Sequence, residues 1–181
     1  MVFKGWKSFF PAFLFYMKSK FIFSLFFIFI FIPVLHIYAV TKIDIDVEAA
    51  LSSAESLFKT MKSQNYQKIW SLLTEKSKEV IVNDVYKAET NSGAGYSKEN
   101  IYNDFNSGSS LSQSYWISFL ENFNPDTVLE QSKWDIGKFE KNKGEIIIQY
   151  RKAQKPAILK MFKEDNKWKT GLVETFWTRK Q

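Results

Sequence analysis

The chain has 181 residues, no cysteine and a formal net charge of +6. Without cysteine it can form neither a disulfide nor a thiolate metal site. Four lysines among the first 20 residues supply +4 of the charge, so the rest of the chain is close to neutral. This balance argues against a nucleic-acid-binding protein, and no nucleic-acid partner is predicted.

Residues 1–20 form a head in which lysines alternate with apolar and aromatic residues such as Trp6 and Tyr16. Aromatic side chains at headgroup level and lysines beside anionic lipid are typical of a segment that lies along a membrane surface. The head is therefore predicted to be a cytoplasmic interfacial segment. A docking site for a membrane partner is the alternative.

Residues 21–40 carry no formal charge and, as a helix, would be about 30 Å long, the thickness of a bilayer's hydrocarbon core. This pattern predicts a transmembrane helix. His36 is the only histidine in the chain, so it has no second imidazole with which to bind a metal, and it lies close enough to the outer end to reach the interface. The residues that mark the predicted anchor are Phe21, Phe31, Pro33, His36 and Val40.

The charges on either side of this segment predict its orientation. Lysines precede it, whereas Asp44, Asp46 and Glu48 follow it. The positive-inside rule then places the N-terminus in the cytoplasm and residues 41–181 on the periplasmic, or extracytoplasmic, side of an inner (plasma) membrane. A cleavable signal peptide is the alternative, although the apolar run exceeds the usual ~7–15 residues and HIYAVTKID offers no good cleavage site.

Residues 45–123 are predicted to be helical. Apolar residues recur at intervals of three and four from Val47 to Met61, which indicates one buried stripe. Asn65 is a predicted N-cap, and a second helix runs from Tyr66 to about Val85. A short helix follows over 97–105, and a third long helix contains Trp116 and ends before Pro125.

From Thr127 the apolar period changes to two, which is typical of strands. Four strands are predicted within 127–178, and their short connections require an antiparallel meander. Gly171 is interpreted as a bulge that curves the last strand. The predicted fold class is α+β, with a helix-rich first half packed on a curved four-stranded antiparallel sheet. The predicted strands are Val128–Phe139, Glu145–Lys152, Ala157–Lys163 and Trp168–Trp177.

A family resemblance rests on three segments: the helix hairpin AESLFKTMKSQNYQKIWSLLTEKSK, the strand GEIIIQYRK and the closing hairpin AILKMFKEDNKWKTGLVETF. In this order they resemble the cone-shaped nuclear transport factor 2-like (cystatin-like) superfamily, over roughly residues 45–178. The resemblance implies a fold that hosts isomerases, dehydratases, transport adaptors and periplasmic domains of type IV secretion scaffolds. Many members have more strands than the four predicted here.

Large aromatic residues are numerous for a domain of this size, and some are expected to line a pocket or an interface, with Trp177 the most exposed. Core packing explains most of them. Asp135 and Glu174 are the carboxylates that a cone pocket could use as a general base, but solvated carboxylates are the preferred interpretation. The candidate pocket or interface residues are Tyr115, Trp116, Trp134, Asp135, Trp168 and Trp177.

Three functions are consistent with these patterns. The first is a membrane-anchored extracytoplasmic domain that binds a protein partner, a second copy of itself or a small apolar ligand, without catalysis, cofactor or metal. The second is a component of a secretion or envelope assembly. The third is a pocket enzyme of the isomerase or dehydratase type, for which Asp135→Asn is the test.

Overall fold

The computed structural model describes residues 44–93 and 95–177. The predicted head and the predicted anchor, residues 1–40, lie outside the described residues and stay predictions. Within the described part of the chain, no helix combines the length and the apolar character needed to cross a membrane.

The described residues form an α+β domain in which helices precede an antiparallel sheet, as predicted. Helix α1 is described over residues 44–62. The elements that follow it are α2 (Tyr66–Ser71), α3 (Glu75–Asn91), α4 (Lys98–Ser107), α5 (Ser110–Asn122), α6 (Pro125–Glu130), β1 (Ser132–Phe139), β2 (Lys143–Tyr150), β3 (Ala157–Glu164), β4 (Lys167–Gly171) and α7 (Leu172–Phe176).

Helix α1 buries the apolar stripe that its sequence predicts. Five of its residues are buried, with exposed fractions of 0–1% at Ala50, Ala54, Leu57, Phe58 and Met61, whereas Val47 and Leu51 are half-buried. The other face of α1 carries charged residues in water, so the helix is amphipathic in the ordinary sense. The five buried residues belong to the same hydrophobic core cluster as the buried residues of the sheet.

The second predicted helix is two helices. Asn65 caps α2 as predicted, accepting the Lys68 N–H at 3.0 Å. Helix α2 then ends at Ser71, and Thr74 caps α3 by accepting the Ser77 N–H at 3.1 Å. The break is tertiary in origin, because Leu73 lies beside Thr170 of β4 in an isolated bridge that a continuous helix could not make.

Helices α4 and α5 have clear local end signals. Ser97 and Asn100 form a reciprocal capping box at the start of α4. Gly108 ends α4 with φ of 69°, the left-handed conformation that glycine adopts without strain. Helix α5 then places Ser112 and Trp116 in the core.

Ser112 is a buried side chain whose hydroxyl has no hydrogen-bond partner among the described residues. Replacing it with alanine should raise the free energy of unfolding by about 1 kcal/mol, because the desolvated hydroxyl is removed. Urea unfolding of the full-length protein in detergent, followed by circular dichroism, measures the change. Ser114→Ala, at an exposed position of the same helix, is the control and should change nothing. A loss of stability in Ser112→Ala would mean that the hydroxyl has a partner.

The four strands form the predicted antiparallel meander in the order β1-β2-β3-β4. The face that packs on the helices contains alternate residues of the strands, and the buried ones are Gly144, Ile146, Ile148, Leu159, Met161, Trp168 and Thr170. The β3–β4 turn is the two-residue loop that EDNK predicts. Asp165 and Asn166 both have positive φ, 49° and 60°, as a type I′ hairpin turn requires.

Two predicted strand boundaries are wrong by more than two residues: the start of the first strand and the end of the last. Residues 128–130 belong to α6 and not to β1, because Asn124 caps that helix and Pro125 occupies its first turn, where proline is tolerated. The last strand ends at Gly171, and residues 172–176 form α7. The predicted bulge at Gly171 is wrong as well, since the register shifts instead between Ile136 and Phe139 of β1.

Candidate functional site: the Trp134 groove

Most of the predicted pocket or interface aromatics belong to the core. Trp116 is fully buried, and Trp168 is only 5% exposed. Tyr115 is half-buried between the rings of Phe105 and Trp116. The prediction that core packing explains most of these aromatics is therefore confirmed, and Trp116 and Trp168 have no accessible face on which to bind a ligand.

Tyr115 has an unusual environment for a tyrosine. Its burial, with a smaller contribution from the negative charge of Asp84, raises the pKa of the phenol to about 12. Both causes favour the neutral phenol over the phenolate. Tyr115 is accordingly a neutral core residue near neutral pH.

The last two described residues, Phe176 and Trp177, differ from the prediction. Trp177 is half-buried and packs against the core, whereas its neighbour Phe176 is 40% exposed. Residues 172–176 are helical, and side chains in a helix do not alternate between buried and exposed as they do in a strand.

Trp134 is the predicted residue that does line a cavity. Its indole packs edge-on against Phe58 at 5.8 Å and donates its Nε1–H to the Val128 carbonyl at 3.0 Å. These contacts fix the ring at the side of an open groove of about 410 Å³ between α1, α6 and β1. We call this cavity the Trp134 groove; its lining residues are Glu48, Leu51, Ser52, Glu55, Leu129 and Trp134.

The Trp134 groove has an apolar floor and an acidic rim. Leu51, Leu129 and Trp134 supply the apolar surface, while the exposed residues Glu48 and Glu55 stand one above the other on α1. Glu55 also pairs with Lys59 at 2.8 Å, one helical turn away. A volume within about 300–1,000 Å³ and a mainly apolar lining are typical of binding sites.

Ion pairs hold the two helices that form the groove. Lys62, near the end of α1, contacts Asp126 at 2.6 Å and Glu130 at 2.7 Å, both on α6. Hydrogen bonds to these two carboxylates raise the pKa of Lys62 above its usual value. The three side chains are 40–61% exposed, so the pairs that link α6 to α1 contribute little to stability.

No family model, curated protein or solved structure matches this chain. The resemblance to the nuclear transport factor 2-like superfamily therefore stays a prediction.

Asp135 lies apart from the Trp134 groove. It follows Trp134 in β1, so its side chain is on the opposite face of the sheet, where it is exposed beside Ile147 of β2. A solvated carboxylate was the preferred interpretation of this residue, and its exposure agrees with it.

Glu174 is not solvated, and that part of the prediction is wrong. It is 8% exposed, and its carboxylate accepts hydrogen bonds from the Thr74 hydroxyl at 2.9 Å and from the Ser77 hydroxyl at 2.6 Å. The Ser77 hydroxyl in turn accepts the Val173 N–H at 3.1 Å. The carboxylate thus joins α7 to the start of α3, where negative charge is favourable.

Sequence reasoning missed most of the Trp134 groove. The periodicity predicts Leu51 in the buried stripe of α1, and the predicted first strand contains Leu129, which lies on α6 instead. The useful signal is local: Asn124 and Pro125 are together a helix-start signal, which places Leu129 on a short helix before β1.

Proposed function

We propose that this chain is a single-pass membrane protein whose extracytoplasmic domain binds a protein partner at the Trp134 groove, without catalysis. The observation that carries the proposal is the combination of an apolar floor and two carboxylates on an exposed rim. The anchor over residues 21–40 is part of the proposal. The nuclear transport factor 2-like cone is also part of the proposal. The packing of the helices on one face of a four-stranded antiparallel sheet supports it.

The chemistry of the groove selects the class of partner. Leu51, Leu129 and Trp134 match one or two apolar side chains, and Glu48 and Glu55 match basic residues beside them. An apolar segment flanked by lysine or arginine is therefore the occupant. Such a segment gains apolar burial from the floor, while the rim charges favour its encounter and orientation.

The position of α1 in the chain favours a partner at the membrane surface. Only seven residues lie between Val40, the end of the predicted anchor, and Glu48 on the rim. A chain of that length spans at most about 28 Å even when fully extended. Basic, amphipathic segments are common next to membranes, because they bind anionic lipid. A component of a secretion or envelope assembly would fit the same role.

Site-specific photocrosslinking in native membranes tests the proposal. A benzoylphenylalanine at Ser52, on the rim, should give a discrete protein adduct, whereas the same group at the exposed Ser118 of α5 should not. The combined variant Glu48→Lys with Glu55→Lys should reduce the Ser52 adduct at least tenfold, since the rim then repels a basic segment. Mass spectrometry of the adduct should map the crosslink to a peptide with lysine or arginine beside apolar residues.

Three results would contradict the proposal. They are equal adducts from Ser52 and Ser118, an adduct that the charge reversal leaves unchanged, and a crosslinked peptide without basic residues. An adduct with a small molecule or lipid would mean that this ligand, and not a protein, occupies the groove.

A further inference from the structure

The two edges of the sheet are different. The edge formed by β4 is covered by the segment that joins α2 to α3. The Thr170 N–H donates to the Leu72 carbonyl at 2.8 Å, and the Thr74 N–H donates to the Thr170 carbonyl at 3.1 Å. The Ser53 hydroxyl donates to the Trp168 carbonyl at 2.6 Å. Both backbone groups of Thr170 and the Trp168 carbonyl are thereby hydrogen-bonded within the chain.

The edge formed by β1 has no such cover among the described residues. The Arg151 N–H donates to the Gln131 carbonyl, so the odd-numbered residues of β1 before the register shift point their backbone groups towards β2. The Lys163 N–H donates to the Asn142 carbonyl, which fixes the same alternation from the other side of β2. The backbone groups of Ser132, Trp134 and Ile136 therefore point outward.

We propose that this edge pairs with the same edge of a second copy of the chain. The two β1 strands would run antiparallel about a two-fold axis at Trp134, and the two four-stranded sheets would become one of eight strands. The regular part of β1 supports this centre, because it extends from Ser132 to the register shift after Ile136, and Trp134 is its midpoint. The three outward-facing residues of each copy can then exchange up to about six backbone hydrogen bonds.

The charges on β1 select this register. With Trp134 opposite itself, Lys133 of each copy lies opposite Asp135 of the other. The next allowed pairings on either side place Lys133 opposite Lys133 or Asp135 opposite Asp135, which are repulsive. Lysines on an edge strand normally prevent pairing. Here the alternation of a lysine and an aspartate around the centre makes the edge complementary to itself.

The side chains on both faces of the paired strands are compatible with this arrangement. Lys133 and Asp135 are exposed on the outer face, at non-hydrogen-bonded positions, where opposite side chains approach most closely. On the inner face the two Trp134 rings come together, and the 43% exposed Ile136 lies opposite Ser132 of the second copy. Confinement of both copies to one membrane would raise their effective concentration.

Cysteine crosslinking tests the pairing, and the natural absence of cysteine makes it specific. Two differently tagged full-length copies, one with Lys133→Cys and one with Asp135→Cys, are co-expressed and oxidised in membranes. Opposite residues at non-hydrogen-bonded positions have Cα atoms about 4.5 Å apart, within the range of a disulfide. The mixed disulfide should therefore be the dominant product.

The controls separate this register from chance collisions. Lys133→Cys alone should crosslink at least about tenfold more slowly, because its Cα would lie about 8 Å from that of its counterpart, beyond disulfide reach. Lys160→Cys, on the inner strand β3, should form no crosslink. A mixed pair that reacts no faster than either control would overturn the proposal.

Charge reversal tests the same register without a covalent bond. Lys133→Glu should weaken dimerisation of the full-length protein in detergent about tenfold or more, because two attractive pairs become repulsive. Adding Asp135→Lys to that variant should restore the dimer. Light scattering measures both. A double variant no more dimeric than the single one would refute the register. Neither test involves Glu48 or Glu55, so failure of the dimer and failure of the proposed partner are distinguishable.

Discussion

Replacing Trp116 with alanine should lower the free energy of unfolding by about 3–5 kcal/mol, the range for large-to-small changes in a packed core. Trp116 has no exposed surface and lies between Tyr115, at 5.1 Å between ring centroids, and Phe119, at 5.6 Å. Alanine would leave a cavity bounded by rigid rings, which cannot close around it. Urea unfolding of the full-length protein in detergent, followed by circular dichroism, measures the loss.

Two variants of the same helix make this result interpretable. Trp116→Phe should cost less than half as much as alanine, because the indole N–H of Trp116 has no hydrogen-bond partner in the described part of the chain and only volume is lost. Ile117→Ala, at a 48% exposed position, should change stability by less than about 0.5 kcal/mol. A phenylalanine variant as unstable as the alanine variant would mean that the indole N–H is satisfied.

The second large effect is expected at Glu174. Glu174→Ala should lower the free energy of unfolding by about 3 kcal/mol, because it removes the acceptor of two buried hydroxyl groups, those of Thr74 and Ser77. Glu174→Gln should cost less, since the amide keeps the shape and one acceptor oxygen. The same urea experiment measures both.

A double-mutant cycle isolates the contact between Glu174 and Ser77. Ser77→Ala and Glu174→Ala should together cost less than the sum of the two single variants, with a coupling of about 1–2 kcal/mol. Additive losses would show that the carboxylate contributes through something other than the 2.6 Å hydrogen bond to Ser77.

Periodic segments were predictable because one physical rule dominates each of them. The stripe of α1 repeats over several turns, and its burial follows from that repeat. The β2, β3 and β4 segments alternate and are separated by turn residues, so their order and antiparallel pairing follow from short connections.

Short helices were not predictable, because five or six residues are too few to show a period. In α7, Leu172, Val173 and Glu174 are buried consecutively, a pattern that neither a strand nor an amphipathic helix produces. The conformation of this segment depends on a tertiary contact. The Thr175 hydroxyl accepts the Lys160 N–H of β3 at the point where β4 has ended. Glu174 was placed wrongly for the same reason.

The Trp134 groove was only partly predictable. Trp134 itself was singled out as a large aromatic in a strand, but its neighbours come from three elements whose proximity depends on the position of α6. The pairs of Lys62 with Asp126 and Glu130 join residues more than 60 positions apart, and no local pattern indicates them.

The hydrogen bond between Thr74 and Glu174 can form only late in the synthesis of the chain. These residues are 100 positions apart, and at about 5–20 residues per second the ribosome adds the second roughly 5–20 s after the first. Until then the start of α3 has neither its buried acceptor nor the apolar cover of Leu172 and Val173. A nascent or truncated chain that stops before α7 would therefore expose this surface, and it is the state that chaperones and proteases would recognise.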